Sequence, residues 1–308
     1  MKTIVTHGAN FHTDDVFATA TVLLYLEKNG ETAQVIRSFD ESVWKTADYV
    51  LDIGRVSDPD TNRFDHHQGD AGARTNGIPY ASFGLVWKKF GVELCDGSER
   101  AAQSIDDGMI AHIDADDNGV STYTSLFPDI KVFTIDEYVG MEADAIKSLD
   151  YTADNKEQVM AAFDKKFAEL VQWAKGVITS AISKAQEKLK FEKEAIEAYE
   201  QSEDKRIIIL KRFLPYTFAN FPEPLIIIYP DLRVEGCWCA KTVKLKNESL
   251  KARIDYPEAW RGKFDADLEQ VTGVKGAKFS HASGFLMSAY SKEAVIELAQ
   301  KALRILGK

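Results

Sequence analysis

The sequence predicts an α/β protein with a mostly parallel N-terminal sheet flanked by helices, a long helical connector and a smaller C-terminal α+β domain. Three observations carry that expectation. Short β-type runs alternate with helical periodicities over roughly the first third of the chain. Residues 155–200 contain no proline and a single glycine, Gly176. Short apolar or alternating runs, separated by proline-bearing loops, fill the last third. Strands that alternate with helices imply a parallel sheet covered on both faces. The expected divisions are 1–150, 151–203 and 204–308.

Residues 2–6 form a short β-type run that ends at His7. Residues 13–28 read as a helix, since Val16, Ala20, Leu23 and Leu24 recur at helical spacing and Gly30 follows as a stop. Strands follow at 34–38 and at 49–53, the latter ended by Gly54. Residues 83–90 and 101–113 are helical, with Ser82 and Ser98 as N-caps. In 155–200, Phe163, Phe167, Leu170, Trp173, Val177 and Ile178 share one helical stripe. An unbroken helix of that length would run about 65–70 Å. A bend near Gly176, or a projecting arm used in self-association, is therefore expected. Strands are expected at 206–210 and 225–229, with an alternating run at 232–242. A loop with three prolines lies at 213–224. A short helix at 265–271, strands at 277–280 and 284–287, and a final amphipathic helix at 292–306 close the chain.

Composition limits the function classes. The 308 residues are 45% hydrophobic and 28% charged, which excludes disordered and fibrous classes. No apolar run reaches the roughly 18–20 residues of a membrane span, and residues 1–12 lack the pattern of a signal peptide. No membrane partner and an intracellular location are expected. Three cysteines, Cys95, Cys237 and Cys239, are too few for a disulfide framework. Cys237 and Cys239 share a strand face and read as a buried thiol pair. The net charge of −10 argues at first against a phosphate-bearing partner. The sum hides an asymmetry: residues 1–150 hold 12 basic and 26 acidic side chains, and residues 151–308 hold 26 and 22.

Five of the six histidines lie in that acidic first part. Four segments stand out: His7 to Asp15, Asp52-Ile53-Gly54, Asp65-His66-His67-Gln68, and His112 to Gly119. Each has a bland reading. His7 would be a core histidine, Asp14 and Asp15 helix caps, Asp52 a turn residue, and Asp116 and Asp117 an Asx turn. Together they offer six or more imidazole and carboxylate donors near one sheet end, where ligand sites of open α/β sheets lie. That donor set suits Mn²⁺, Fe²⁺ or Zn²⁺ and tolerates Mg²⁺. Two ions so held can clamp the attacking and leaving oxygens of a displacement at phosphorus.

Asp65-His66-His67, with a His/Asp cluster after the first strand and a lone Asp after the third, resembles the DHH phosphoesterase superfamily. Further motifs narrow the likeness: His7-Gly-x-x-Phe11-His12-x-Asp14, Asp114-x-x-Asp117-Asn-Gly119, Pro257-Glu-x-Trp260-Arg261-Gly262 and His281-Ala-Ser283-Gly284-Phe285. In this order they resemble the Myg-type family, whose members are assigned as metal-dependent 3′-5′ RNA exonucleases, the eukaryotic ones in nucleus and mitochondria. The resemblance runs nearly end to end.

The resemblance implies a metal-dependent phosphodiesterase acting on single-stranded RNA or a short oligonucleotide. His7 and His12 would bind one ion, Asp14 and His66 the other, and Asp52 would bridge them. His12 stands where many superfamily members have Asp, which favours Mn²⁺ over Mg²⁺. His67 would face the substrate, and Asp65 would orient an imidazole. The fourth acid is Asp114, Asp116 or Asp117, with Asp114 favoured by register and Asp117 left to serve the turn. Trp260 would stack on a base or anchor the core. Arg261 would grip a phosphate or form a surface ion pair, and His281 and Ser283 would hold a substrate end. Hydrolysis of a small phosphoanhydride or cyclic dinucleotide, or a metal-binding scaffold without turnover, are the alternatives.

Overall fold

The computed structural model describes residues 1–69, 71–127, 129–147, 152–246 and 251–308. It divides into two compact units, Met1–Gln186 and Glu187–Lys308.

The first unit is built on a five-stranded sheet. Its strands are β1 (Lys2–Thr6), β2 (Ala33–Arg37), β3 (Tyr49–Leu51), β4 (Ser57–Asp58) and β5 (Arg63–Phe64), in the order β2-β1-β3-β5-β4. The first four in that order are parallel and β4 runs antiparallel at the edge. Ile4, Val5, Val50, Leu51 and Phe64 are fully buried, which is the apolar continuity a covered parallel sheet requires. Helix α1 (Thr13–Lys28) is buried at every position from Thr13 to Val22, including its polar residues. It packs on α3 (Ser82–Leu94) through Phe17 against Phe83 and Tyr25 against Phe90. A one-turn helix α2 (Glu41–Trp44) lies between β2 and β3.

The helical run expected at 101–113 is longer and composite. It consists of α4 (Glu99–Ile105), a wider turn at Asp106–Ile110 and α5 (Ala111–Asp117). Ser98 caps α4 as expected, accepting from the Ala101 amide at 3.2 Å. Ser82 does not cap α3: the N-cap is Ala81, and the first amides of α3 are met by a carboxylate from α1 instead. Helix α6 (Ile135–Lys147), which the sequence reading did not assign, follows.

Helix α7 (Lys156–Gln201) has 46 residues and continues through Gly176 without a break. Gly176 is exposed and meets nothing within 4 Å, and no break in the helix occurs there. Nor is the apolar stripe free for self-association. Phe163 and Phe167 pack on Phe11, and Trp173 packs on Phe17, all within the first unit.

The second unit has its own sheet, β6 (Ile207–Ile209), β7 (Ile226–Pro230), β8 (Trp238–Thr242), β9 (Ala277–Ser280) and β10 (Leu286–Ala289), in the order β6-β7-β8-β10-β9. Only β6 and β7 are parallel among these described strands. Helices α8 (Asp265–Thr272) and α9 (Lys292–Ile305) complete it. Ile226, Ile228, Ala240 and Met287 pack with Val295, Leu298 and Ala302 of α9 in one core. Ile208, Leu214 and Phe218 pack with Ala195 of α7 in another. The alternating run expected from 232 is a strand only from Trp238, because Asp231 draws the Arg233 amide and guanidinium into a turn first. All three cysteines are free and buried. Among the described residues no helix is long and apolar enough to cross a membrane.

Candidate metal centre

Because β1, β3 and β5 are parallel, their carboxyl ends open on one side of the sheet. His7 follows β1, Asp52 follows β3, and Asp65-His66-His67 follow β5. The topology therefore delivers three of the four segments to one place, and α5 brings the fourth. Three groups of donor atoms lie within 4.8 Å of one another: His7, His12 and Asp52; Asp52, His66 and His67; and Asp14, His66 and Asp117.

Asp52 is common to two of these groups and lies at the centre. Its Oδ2 is 3.3 Å from His7 Nε2, and its Oδ1 is 3.3 Å from His66 Nε2. It is 4% exposed and its backbone has φ of +53°, in the left-handed region that a non-glycine residue rarely adopts. Such a conformation costs of order 1–3 kcal/mol and persists where surrounding structure enforces it. Here the Asp52 amide still donates to Phe64 O at 3.0 Å, so the β3–β5 ladder holds the strained residue. Burial opposes its ionisation, but the adjoining His66 and His7 imidazoles outweigh burial and hold the carboxyl well below the usual range.

The His7 ring is oriented from Nδ1, which is 3.1 Å from Gly8 O, an acceptor only, so Nδ1 donates there and Nε2 faces the carboxylates. Burial alone would lower its pKa. Hydrogen bonding to Asp52 and the charge of Asp15 raise it to about 9. His66 behaves likewise: burial is outweighed by Asp117, at 3.0 Å, and by Asp52, and its pKa rises to about 11. His12 differs, lowered by burial and by the neighbouring His7.

His67 has a different role in the geometry. Its side chain is 59% exposed, and its Nδ1 is 2.7 Å from Asp65 Oδ1. Asp65 is buried and also accepts from the amides of Arg55 and His67. The imidazole that Asp65 orients is thus that of His67, with Nε2 left to point away.

Asp14 lies between the cluster and the start of α3. Its two oxygens accept from the amides of Ser82 at 3.0 Å and Phe83 at 2.7 Å. The helix N-terminus stabilises the carboxylate it meets, yet burial and the charges of Asp117 and Asp52 still push the Asp14 pKa up.

The structure does not bring Asp114 into the cluster. Its side chain is fully buried, accepts from the Gly84 amide at 3.0 Å, and pairs with Arg74 Nη1 at 2.8 Å. Arg74 in turn grips Asp106 through Nε and Nη2 at 2.8 and 2.6 Å. Asp117, one helical turn further along α5, is the acid that reaches His66. Asp116 belongs to none of the three groups. Asp15, a helix cap by sequence alone, also reaches the cluster. Asp15 does accept from the His12 amide at 2.8 Å, but its other oxygen lies 3.2 Å from His7 Nε2. No spacing signal separates Asp15 from Asp14. Burial pushes the Asp15 carboxyl up to about 7 against the pull of His7. His112 is outside the cluster, bonded to Thr122.

A divalent ion fits these residues. Oδ1 of Asp52 and Oδ2 of Asp15 are buried and face imidazole nitrogens, at 3.3 Å from His66 and 3.2 Å from His7, so a cation entering between them would meet nitrogen and anionic oxygen together. The donors combine imidazole nitrogen with carboxylate oxygen, the set that suits Mn²⁺, Fe²⁺ and Zn²⁺.

The C-terminal candidates lie in the second unit. Trp260 is 3% exposed within its core, so it has no face for a base, and the core-anchor reading is the one the structure supports. Arg261 donates from Nε to Tyr256 O at 2.8 Å, and its Nη2 is 4.0 Å from Asp255. It therefore ties a loop and is not presented as a free fork. A Cβ on Gly284 would come within 2.7 Å of that Nε, which explains the glycine beside it. His281 stacks near Phe285, its Nδ1 accepts from the Ser283 amide, and Ser283 itself is exposed.

The chain is 29% identical to a MYG1 protein of Dictyostelium discoideum over 329 residues, covering 98% of this chain and 96% of that one. It is 27% identical to the MYG1 exonuclease of Homo sapiens, covering 97% of this chain and 85% of the human protein. Among solved structures, RecJ of Thermus thermophilus in complex with Mn²⁺ aligns with 99% of this chain and 52% of its own length, at 10% identity and a TM-score of 0.26. The family model for MYG1 exonuclease, described as an uncharacterised protein family (UPF0160), matches residues 3–303, and the chain belongs to that family.

Proposed function

We propose that this protein is a metal-dependent phosphodiesterase that shortens single-stranded RNA or short oligonucleotides from the 3′ end. The observation that carries the reading is the meeting of three imidazole–carboxylate groups around a strained, buried Asp52. Membership of a family with relatives named exonuclease supports the reaction class.

His7, His12 and Asp52 would hold one divalent ion, Mn²⁺ foremost. Asp14, His66 and Asp117 would hold a second, with Asp52 between them; Asp117 replaces Asp114 in the expected set. The bound ions would supply Lewis acidity and a water acidic enough to ionise near neutral pH. Gly8 O orients the His7 ring so that Nε2 would be the ligating atom. Asp65 holds the His67 ring by Nδ1, which would leave Nε2 facing a phosphoryl oxygen, to which it would donate in the imidazolium form. On the second unit, Trp260 and Arg261 would serve that unit's own fold.

The test is a product assay with Mn²⁺ on 5′-labelled RNA, pyrophosphate and cyclic dinucleotides. Stepwise shortening of RNA, abolished by Asp52→Ala, is expected. Phosphate from pyrophosphate alone, or linearised dinucleotide alone, would replace the substrate assignment. Mn²⁺ uptake without turnover on any of them would make the protein a scaffold.

A further inference from the structure

The segment between His7 and His12 is anchored at both ends: by β1 on one side and, on the other, by the α1 cap, where His12 N–H donates to Asp15. Its middle is held by a residue from another strand. Arg37 ends β2, opposite Thr6 in the β1–β2 register. Its side chain is 3% exposed. Nη2 donates to Ala9 O at 2.7 Å and to Asn10 O at 2.9 Å. Nη1 donates to Asp164 of α7 at 2.9 Å, and the guanidinium lies 4.6 Å from the Phe167 ring centre. Ala9 has φ of +60°, a left-handed conformation with no glycine to ease it. The carbonyls of Ala9 and of the residue after it are the ones Arg37 grips. Asn10, next in the chain, places its amide 3.2 Å from His12 Nε2.

We infer that Arg37 is a positioning residue for the His7–His12 end of the metal centre, with Asp164 holding its guanidinium in place. The inference rests on the reading that ions bind this cluster. A planar fork is needed, because two adjacent carbonyls and a carboxylate on a different element must be met from separate nitrogens. A lysine ammonium reaches one side or the other. The Nε of Arg37 is buried with no partner among the described residues, so the side chain is placed by its Nη contacts and by Phe167.

The experiment is Mn²⁺ titration of the full-length protein, read by the electron paramagnetic resonance of free Mn²⁺. It is run on the wild type, Arg37→Lys and Asp164→Ala. Each is repeated in an Asp117→Asn background, which leaves the His7–His12 ion for separate measurement. Arg37→Lys is expected to weaken that ion about 10–100-fold, the range seen when a group supporting a ligand is lost. Asp164→Ala changes a half-exposed residue that carries no core packing; it should weaken the same ion about 3–10-fold at unchanged metal-free melting temperature. Wild-type affinity for that ion in both variants overturns the inference. An equal loss at both ions, with a fall in metal-free melting temperature, also overturns it, since that is the signature of general loosening. A wild type that takes up no Mn²⁺ shows instead that the metal reading itself is wrong, before any variant is compared.

Discussion

Asp114 and Asp117 sit one turn apart on α5, and only their partners separate them. Asp114 compensates a buried guanidinium, Arg74, and burial pushes its own carboxyl up to about 7 despite that partner. Asp117 touches His66. Asp114→Asn should therefore cost about 1–3 kcal/mol of stability, the result of losing a buried charged hydrogen bond while Arg74 keeps Asp106, and leave Mn²⁺ stoichiometry intact in the folded protein. Asp117→Asn should do the reverse: one Mn²⁺ is lost, with little change in the denaturant midpoint. Denaturation and metal analysis of the two variants check this, and a swapped result would return Asp114 to the ligand set. Residue type made the four segments legible in the sequence, and the family resemblance picked His7, His12, Asp14, Asp52 and His66 within them. The choice between the two acids was not legible, because the deciding partner, Arg74, lies far away in sequence and carries no motif.

At the scale of elements, two glycines on helices face opposite circumstances. Gly84 in the first turn of α3 lies so close to Asp114 that a Cβ would stand 1.8 Å from Oδ2. That close approach lets the Gly84 amide reach the buried carboxylate. Gly84→Ala must displace a charged, ion-paired group and should destabilise by about 1–3 kcal/mol or more. Gly176 in α7 meets nothing within 4 Å and lies inside a continuous helix. Gly176→Ala should stabilise by about 0.4–1 kcal/mol, by reducing the freedom of the unfolded chain. Thermal melts of the two variants test both statements, and a loss of stability at Gly176→Ala would contradict an open, helical setting at that position. The length of α7 was legible from its composition and periodicity. Its continuity was not, since a lone glycine reads the same whether the helix bends there or the site is merely exposed. The α3 cap was misread for a related reason: Ser82 has the right chemistry, but the buried Asp14 carboxylate takes the amides that a cap would serve.

For the whole molecule, charge decides how metal and substrate are linked. The net charge is −10, and residues 1–150 carry 26 acidic against 12 basic side chains. A polyanion approaching this part of the chain meets repulsion unless divalent ions offset the carboxylates. Binding of the proposed oligonucleotide substrate should accordingly vanish in EDTA and return with Mn²⁺, read on the wild type by stopped-flow fluorescence anisotropy before turnover. Metal uptake itself depends on pH through the same carboxylates. They hold His7 at about 9 and His66 at about 11, so both rings carry a proton at neutral pH in the metal-free protein. Ligation requires neutral imidazole, and each ring must release its proton as an ion enters. The buried Asp14, raised well above its ordinary range, adds a further proton to be displaced. All three effects have the same sign: protons compete with metal, so affinity rises with pH, by about tenfold per pH unit for each proton released. Calorimetric titration with Mn²⁺ at about pH 6, 7 and 8, in buffers of different ionisation enthalpy, should show affinity climbing across that range and protons passing to the buffer. An affinity independent of pH would mean that the ions are held by groups other than these histidines.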